Sequence, residues 1–524
     1  MSRSQMIDAL SDRSTIWDVI VIGGGATGLG TALEAASRGH QTLLVEAADF
    51  AKGTSSRSTK LVHGGVRYLR QGRIRMVRES LLERSRLLHN APHIVHPLGF
   101  VLPTFRFGRD WYYYAGLRAY DMLGGGTEFP GARLLSRNET LETLPTLREE
   151  KLRGGVLYSD GQFDDARLAI SLLRTLLDEG GVALNYAPVV GLLQQGKRAV
   201  GVTIRDLESD REFAIRGRAV INATGVFVED VLRMESNGSR GESLVAPSQG
   251  SHLVLDRSFL PSDRAMMIPE TDDGRVLFAI PWHGKTLFGT TDLAVDRIEI
   301  EPRPLAQEVE YLLDYAGRYL TRAPNRGDVL STFAGLRPLF RRKSADGKTA
   351  SLSREHEIRV SQGGMISIIG GKWTTYRLMG ENLIHRAEEV AGLTRKASRT
   401  ATLPLHGAME RGVENPEDDP LAIYGSDAAG MRELIDSEPA FGELLHPSFP
   451  DLAVQVVWGV RHEFARTVED ILARRTRALF LDARAAIEAA PAVAKLMKRE
   501  LKQSDDWESE QIRRFASLAQ GYLL

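Results

Sequence analysis

The run WDVIVIGGGATGLGTALEAASRGHQTLLVEAAD, residues 17–49, reads as strand, glycine turn, helix and strand. Val19–Ile22 is unbroken apolar sequence, as in a parallel strand buried on both faces. Leu29, Ala32, Leu33 and Ala36 recur at helical spacing, and Gly39 stands where the helix must stop. TLLVE supplies the second strand. A right-handed strand–helix–strand crossover needs roughly 30 residues, and this segment provides them.

Within the turn, Gly23, Gly25 and Gly28 have the spacing of a dinucleotide fingerprint. Such glycines let backbone approach a pyrophosphate held at a helix N-terminus. Glu46 ends the next strand 18 residues after Gly28, where a carboxylate accepts hydrogen bonds from an adenosine ribose. NAD and FAD share this contact, so the pattern does not choose between them. Two later segments do bear on the choice: NATG (222–225) closes a distant apolar strand, and IIGGKWTT (368–375) returns a glycine pair. That discontinuous layout suits an elongated FAD, although a glycine turn at a strand end reads each piece equally well.

Around this unit lie 524 residues, too many for one ordinary core, so at least two domains are expected. With 67 basic and 68 acidic residues the net charge is -1, and no global field exists to attract nucleic acid. The cationic character is local. Lys52, Arg57, Lys60, Arg67, Arg70, Arg73, Arg75 and Arg78 fall in a window without one carboxylate. There is no cysteine, which excludes disulfides, thiolate metal sites and a cysteine nucleophile. No secretory signal and no apolar run near the ~20 residues of a spanning helix is visible, so the expected location is cytoplasmic, with surface attachment to a membrane open.

Farther along, SLLERSRLLHNAP (80–92) reads as a helix, followed by a proline-bounded loop and an amphipathic helix in FRFGRDWYYYAGLRAYDML (105–123). Alternating segments between Pro188 and Gly225 predict a meander returning to the nucleotide sheet. SHLVLD, RVLFAIPW and KTLFGTTD read as strands of a second sheet, with a helix over Gln307–Leu320. GMISIIGGKWTTYRLMGENLIHRAEEVAGL then reads as strand, turn and helix, and the chain beyond Thr400 is predominantly helical.

GGGATGLG, Glu46, TSSRSTKLVHGGVRYL, FDDARL, NATG, QGSH, GTTD, AGLRPL and GGKWTTYR occur in that order, and RTVEDILARRTRALFLDA follows in the tail. Together they closely resemble the FAD-dependent, quinone-linked glycerol-3-phosphate dehydrogenase family over nearly the whole chain. The chain departs from it at Val226 and Phe227, where the family usually has a proline and a tryptophan. The fold implied is α/β, with an FAD-binding Rossmann-like domain of the glutathione-reductase/D-amino-acid-oxidase type, a sheet-rich substrate domain and a helical C-terminal domain. The oxidoreductase region would span 16–400, with FAD-binding parts at 16–90, 150–240 and 330–400 and substrate parts at 91–149 and 241–329; the C-terminal domain would span 401–524.

The resemblance further implies oxidation of sn-glycerol 3-phosphate to dihydroxyacetone phosphate, with electrons passed to membrane quinone. An oxidase using molecular oxygen, or acting on another small substrate, is the alternative. It implies that Arg67, Tyr68, Arg337 and Lys372 grip the substrate, since arginine's planar fork gives paired bonds to a phosphate. Ser58, Thr59, Lys60, His63, Gly64, Gly225, Gly371 and Thr374 would join Gly23, Gly25, Gly28 and Glu46 around the cofactor. Alcohol oxidation needs a proton acceptor, and a histidine suits that task. His63 and His252 are both candidates, with Arg337 and Lys372 beside the reaction. An enzyme feeding quinone must reach the bilayer, which places it peripherally on the cytoplasmic face of the inner membrane, and homodimer formation stays open.

Other groups carry blander readings. His89, His93 and His96 imitate metal ligands, yet HNAPHIVHP is broken by prolines and has no carboxylate, so no metal is expected. Asp164 and Asp165 are adjacent and point apart on any regular element, so helix capping is the expectation. WYYYAGLRAY and the basic window are candidates for contact with anionic lipid.

Overall fold

The computed structural model describes residues 3–125, 128–235, 243–341, 356–409 and 419–524, the side chain of Arg67 excepted. The opening segment forms strand Ile16–Ile22, helix Ala26–Ser37 and strand Thr42–Val45. Strand Ile16–Ile22 pairs parallel with Thr42–Val45 on one side and with Arg211–Asn222 on the other. Ile366–Ile369 adds parallel beyond Asn222, and Val182–Leu184 adds parallel beyond Val45. The predicted meander is Val189–Gln195, Arg198–Asp206 and Arg211–Asn222, the last of which continues into the nucleotide sheet. The glycine turn, NATG and the late glycine pair thus all sit at the C-terminal ends of neighbouring parallel strands, where ligands bind in such sheets.

A second, larger sheet is mainly antiparallel. Its long central strands Val245–Asp256 and Val329–Phe340 pair from Val245 with Phe340 to Leu255 with Val329. Gly154–Phe163 and Val329–Phe340, read from sequence as parts of the nucleotide-binding unit, belong to this second sheet. The proline-bounded loop is corrected to a strand, Val95–Thr104, paired over its length with Gly154–Phe163. Its other edge pairs only through Phe100 and Val101 with the short strand Ala265–Ile268. Pro97 and Pro103 lie beyond that stretch, where no backbone donor is required.

Alternation along Val245–Asp256 sends residues to two cores. Leu253 and Leu255 pack with Val309, Leu312 and Ala316 of helix Ala306–Tyr319. Val254 faces the other way, into a core shared with Phe333, Phe480 and the helices of the C-terminal domain. That domain contains Asp427–Ser437, Ala453–His462, Ala483–Leu501 and Asp505–Ala519. Its segment 466–483 lies against both the second sheet and the loop that follows the nucleotide strand at Val45.

Candidate active site

Three glycines shape the turn. Gly23 adopts φ +109°, and a Cβ there would lie 2.7 Å from the Ala223 carbonyl oxygen. A Cβ on Gly28 would sit 1.8 Å from the Gly23 oxygen, and one on Gly25 would sit 2.9 Å from Ser55 Oγ. Helix Ala26–Ser37 can therefore begin directly at the strand end, and its first turn lines a cavity of about 230 Å³. Ser55 Oγ accepts a hydrogen bond from Ala26 N at 2.8 Å. Glu46 accepts from Gly24 N at 2.5 Å and Ala48 N at 2.9 Å. Burial pushes the Glu46 carboxyl above its ordinary value, while these amides pull it back.

Gly225, Gly371, Lys372 and Trp373 line the same cavity from the other two strand ends. Val226 and Phe227, at the departure from the family pattern, also line it. Trp373 Nε1 donates to the Ser55 carbonyl at 2.8 Å, tying the late turn to the early loop. The residues fit an FAD: backbone that any Cβ would obstruct, amides at a helix start, and a carboxylate at the end of the second strand.

A second cavity, about 290 Å³, shares Thr54, Pro338, Gly371, Lys372 and Trp373 with the first. Its walls come from the second sheet. Arg337 donates from Nη1 to the Thr291 carbonyl and from Nη2 to Thr290 Oγ1, both at 3.2 Å. It reaches the cavity across Gly250, where a Cβ would come within 2.3 Å of Nη2. His252 is two residues farther along the same strand face, 2% exposed, with its ring stacked on Phe333 at 4.7 Å. Its Nε2 lies 3.0 Å from Thr59 Oγ1. Burial, with Lys60 and Arg337 adding repulsion, holds the imidazole well below the usual histidine range, so the ring is neutral at pH 7.

The basic loop forms the opposite wall. His63, Gly65, Val66 and Tyr68 line the cavity; Arg67's side chain lies outside the described residues. Gly65 has φ +83°, and Lys372 Nζ stands 4.2 Å from the centre of the Tyr68 ring, a cation–π contact. Gly64 N donates to Tyr120 Oη, which donates in turn to Asp160 Oδ2, both at 2.7 Å. Thr374 Oγ1 accepts from His63 N at 3.2 Å.

Two sequence readings change. Lys60 does not line either cavity: its side chain is fully buried, with Nζ 2.7 Å from Asp165 Oδ2 and 2.8 Å from the Ser56 carbonyl. A left-handed backbone at Lys60, φ +63°, accompanies this inward turn. Ser58 likewise spends its amide and hydroxyl on Asp165 Oδ2, although the residue still borders the larger cavity. Asp164 does cap helix Asp165–Asp178 through Arg167 N, whereas Asp165 is a buried acceptor rather than a cap. Among the described residues no cluster suits a metal ion.

The sequence reading passed over Thr54, Ser55, Trp373, Arg57, Asp160 and the Thr290–Asp292 turn as site residues. GTTD and TSSRST were visible as motifs, but only folding shows which of their side chains face the cavities.

Residues 18–377 match the family described as FAD dependent oxidoreductase, and 368–508 match the C-terminal domain of alpha-glycerophosphate oxidase. The mitochondrial glycerol-3-phosphate dehydrogenase of Homo sapiens is 38% identical over 99% of this chain and 76% of that protein. The chain belongs to the FAD-dependent glycerol-3-phosphate dehydrogenase family. A probable mitochondrial member from Caenorhabditis elegans is 40% identical over 93% of this chain and 70% of its own length. The crystal structure of the family member from Bacillus halodurans, complexed with FAD, superposes with a TM-score of 0.80 at 31% identity, covering 99% of this chain and 97% of that one. The fold is accordingly the FAD-binding oxidoreductase fold with a helical C-terminal domain, and FAD is the cofactor.

Proposed function

We propose that this protein oxidises sn-glycerol 3-phosphate to dihydroxyacetone phosphate and delivers the electrons to a membrane quinone. The observation that carries the reading is the convergence of Arg337, Lys372, Tyr68 and a neutral His252 on one cavity that opens into the glycine-turn cavity. Gly23, Gly25, Gly28, Glu46, Gly225, Gly371 and Thr374 would hold FAD with Ser55 and Trp373, and Thr59 and His63 would border its reactive end, whereas Gly64 lines neither cavity and packs against Leu81 and Tyr120. When bound, FAD supplies the hydride acceptor. The chain's own residues do the rest. Arg337 and Lys372, with Tyr68, receive the phosphate dianion and fix the carbinol carbon.

As the carbinol hydrogen leaves with its electron pair, the hydroxyl must lose a proton. Thr59 lines the cavity with its Oγ1 3.0 Å from His252 Nε2, and that hydroxyl relays the proton to the imidazole. His252 is favoured over His63 because Thr59 and Phe333 orient its ring and because it lies on the same face of the paired strands as Arg337.

Attachment to the cytoplasmic face of the inner membrane is part of the proposal. No helix among the described residues is long and apolar enough to cross a membrane. Helix Arg109–Gly124 and the turn before it instead expose Phe107 (88%), Trp111 (63%) and Met122 (74%) beside Arg106 and Arg109. Aromatic and basic groups in one patch match a lipid interface.

The deciding experiment is anaerobic addition of sn-glycerol 3-phosphate to the flavin-loaded protein, followed by quinone or by air. Bleaching of the visible band with fast recovery by quinone is the expected outcome. Fast recovery in air assigns an oxidase, and a band that stays oxidised rejects the substrate.

A further inference from the structure

Part of the C-terminal domain's hold on the oxidoreductase falls on one segment, residues 49–60. Asp49 takes bonds from Arg474 Nε and Arg475 Nη1, both at 2.5 Å, and Lys52 pairs with Glu469 at 2.7 Å. The Ser56 carbonyl accepts from Arg477 Nη2 at 2.8 Å. Arg57 lies over the rings of Phe480 and Tyr522, and Lys60 lies 5.5 Å from Phe480. Between these anchors, Thr54, Ser55 and Thr59 line the cavities.

Arg477 links this grip to Asp165. It is 1% exposed and has φ +66°, a left-handed conformation uncommon for a non-glycine residue. The buried stretch Asp470–Arg475 before it is a π-helix, a wider coil often found at functional sites. Besides Ser56, its guanidinium meets Asp165 Oδ1 at 3.1 Å. The other Asp165 oxygen receives Ser58 N, Ser58 Oγ and Lys60 Nζ at 3.0, 2.7 and 2.7 Å. Asp165 therefore joins Arg477 to both neighbours of Thr59, and Thr59 Oγ1 is the group that meets His252 Nε2.

We infer that Arg477 is a positioning residue: through Asp165 it holds Ser58 and Lys60, and so aims the Thr59 hydroxyl at His252. The inference rests on the assignment of Thr59 and His252 to proton removal. It gives the C-terminal domain a part in the oxidation, although it contributes none of the substrate-binding groups assigned above. The bonds of Arg477 to Ser56 and Asp165 both come from Nη2, while Nη1 donates to the Ala473 carbonyl at 2.9 Å, so the guanidinium joins three acceptors that the single nitrogen of lysine holds only in part.

The test compares Arg477→Met, Arg477→Lys and Thr59→Val, singly and combined, with flavin content and thermal melting as controls. In Arg477→Met we expect kcat to fall about 10- to 100-fold, as small misplacement of reacting groups does, with KM within about threefold. Arg477→Lys should recover part of the loss. Adding Thr59→Val to Arg477→Met should cost no more than the larger single effect, because both break one chain of contacts.

Amide exchange in the flavin-free protein gives an independent readout: residues 54–60 should exchange faster in Arg477→Met. Unchanged kcat in a folded variant, multiplicative losses, or unchanged exchange at 54–60 would each overturn the inference. If Arg477→Met does not fold, Asp165→Asn takes its place with the same expectations. Should sn-glycerol 3-phosphate fail to bleach the parent enzyme, the functional proposal falls, while the exchange result still reports on the positioning contacts.

Discussion

Gly250 shows what a missing side chain does at the residue scale. Any Cβ there would strike the guanidinium of Arg337, so the glycine is the opening through which the arginine crosses its neighbouring strand. Arg337 itself was legible as part of GLRP, but its partners Thr290 and Thr291, and its place beside His252, were not. We expect Arg337→Ala to raise KM for sn-glycerol 3-phosphate about 100-fold or more, the value of paired charge-assisted bonds, with flavin content unchanged. Steady-state kinetics at saturating acceptor check this, and a KM within threefold of the parent would remove Arg337 from the phosphate site. Lys60 teaches the opposite lesson. Lys60 in the basic window reads as a residue around the cofactor, yet burial beneath Trp282, Phe333 and Phe480 and a bond to Asp165 make it internal support.

Among the elements, helix Ala26–Ser37 and helix Tyr376–Ala391 owe their contact to two glycines. A Cβ on Gly380 would lie 2.7 Å from the backbone oxygen of Gly30, and one on Gly30 would lie 2.5 Å from the Tyr376 ring. Neither obstacle is the far end of a flexible side chain, so the helices would have to separate. Gly380→Ala should destabilise the fold by about 1–3 kcal/mol through overpacking. Urea unfolding measures the loss, and flavin retention should weaken with it because Gly30 lies on the helix that begins at the glycine turn. A shift below about 0.5 kcal/mol, within the range of ordinary surface substitutions, would show that the helices yield. The same scale holds the main misreading of local sequence: prolines 97 and 103 signal a loop, but an interior strand tolerates proline on the side where its short neighbour has stopped.

Across the whole molecule, ion pairs fasten the C-terminal domain to the oxidoreductase. Arg167 grips Glu463 with two bonds of 2.9 and 2.8 Å, and His406 spans Asp178 at 2.6 Å and Asp427 at 3.0 Å. Burial disfavours charge on His406, yet the two carboxylates overcome it and raise its pKa from 6.5 to about 9. A raised folded-state pKa means stability fully present below pH 6.5 and lost as pH climbs through about 9. The thermal midpoint should decline across that window. His406→Gln should lower the midpoint at pH 6 and flatten the decline; an unchanged slope would place the alkaline sensitivity elsewhere.

The glycine turn, its strands, its helix and Glu46 were readable in the chain because their order in sequence is their order in space, and periodicity of 2 or 3.6 residues reports burial locally. The collinear motifs named the cofactor and family for the same reason. The site was different. Thr59 meets His252 across 193 residues, Arg477 meets Asp165 across 312, and Trp373 meets Ser55 across 318. No local spacing encodes such contacts: they come from packing two sheets and a helical domain around one loop, and packing settles which polar side chains turn toward the cavities and which are buried as the loop's support.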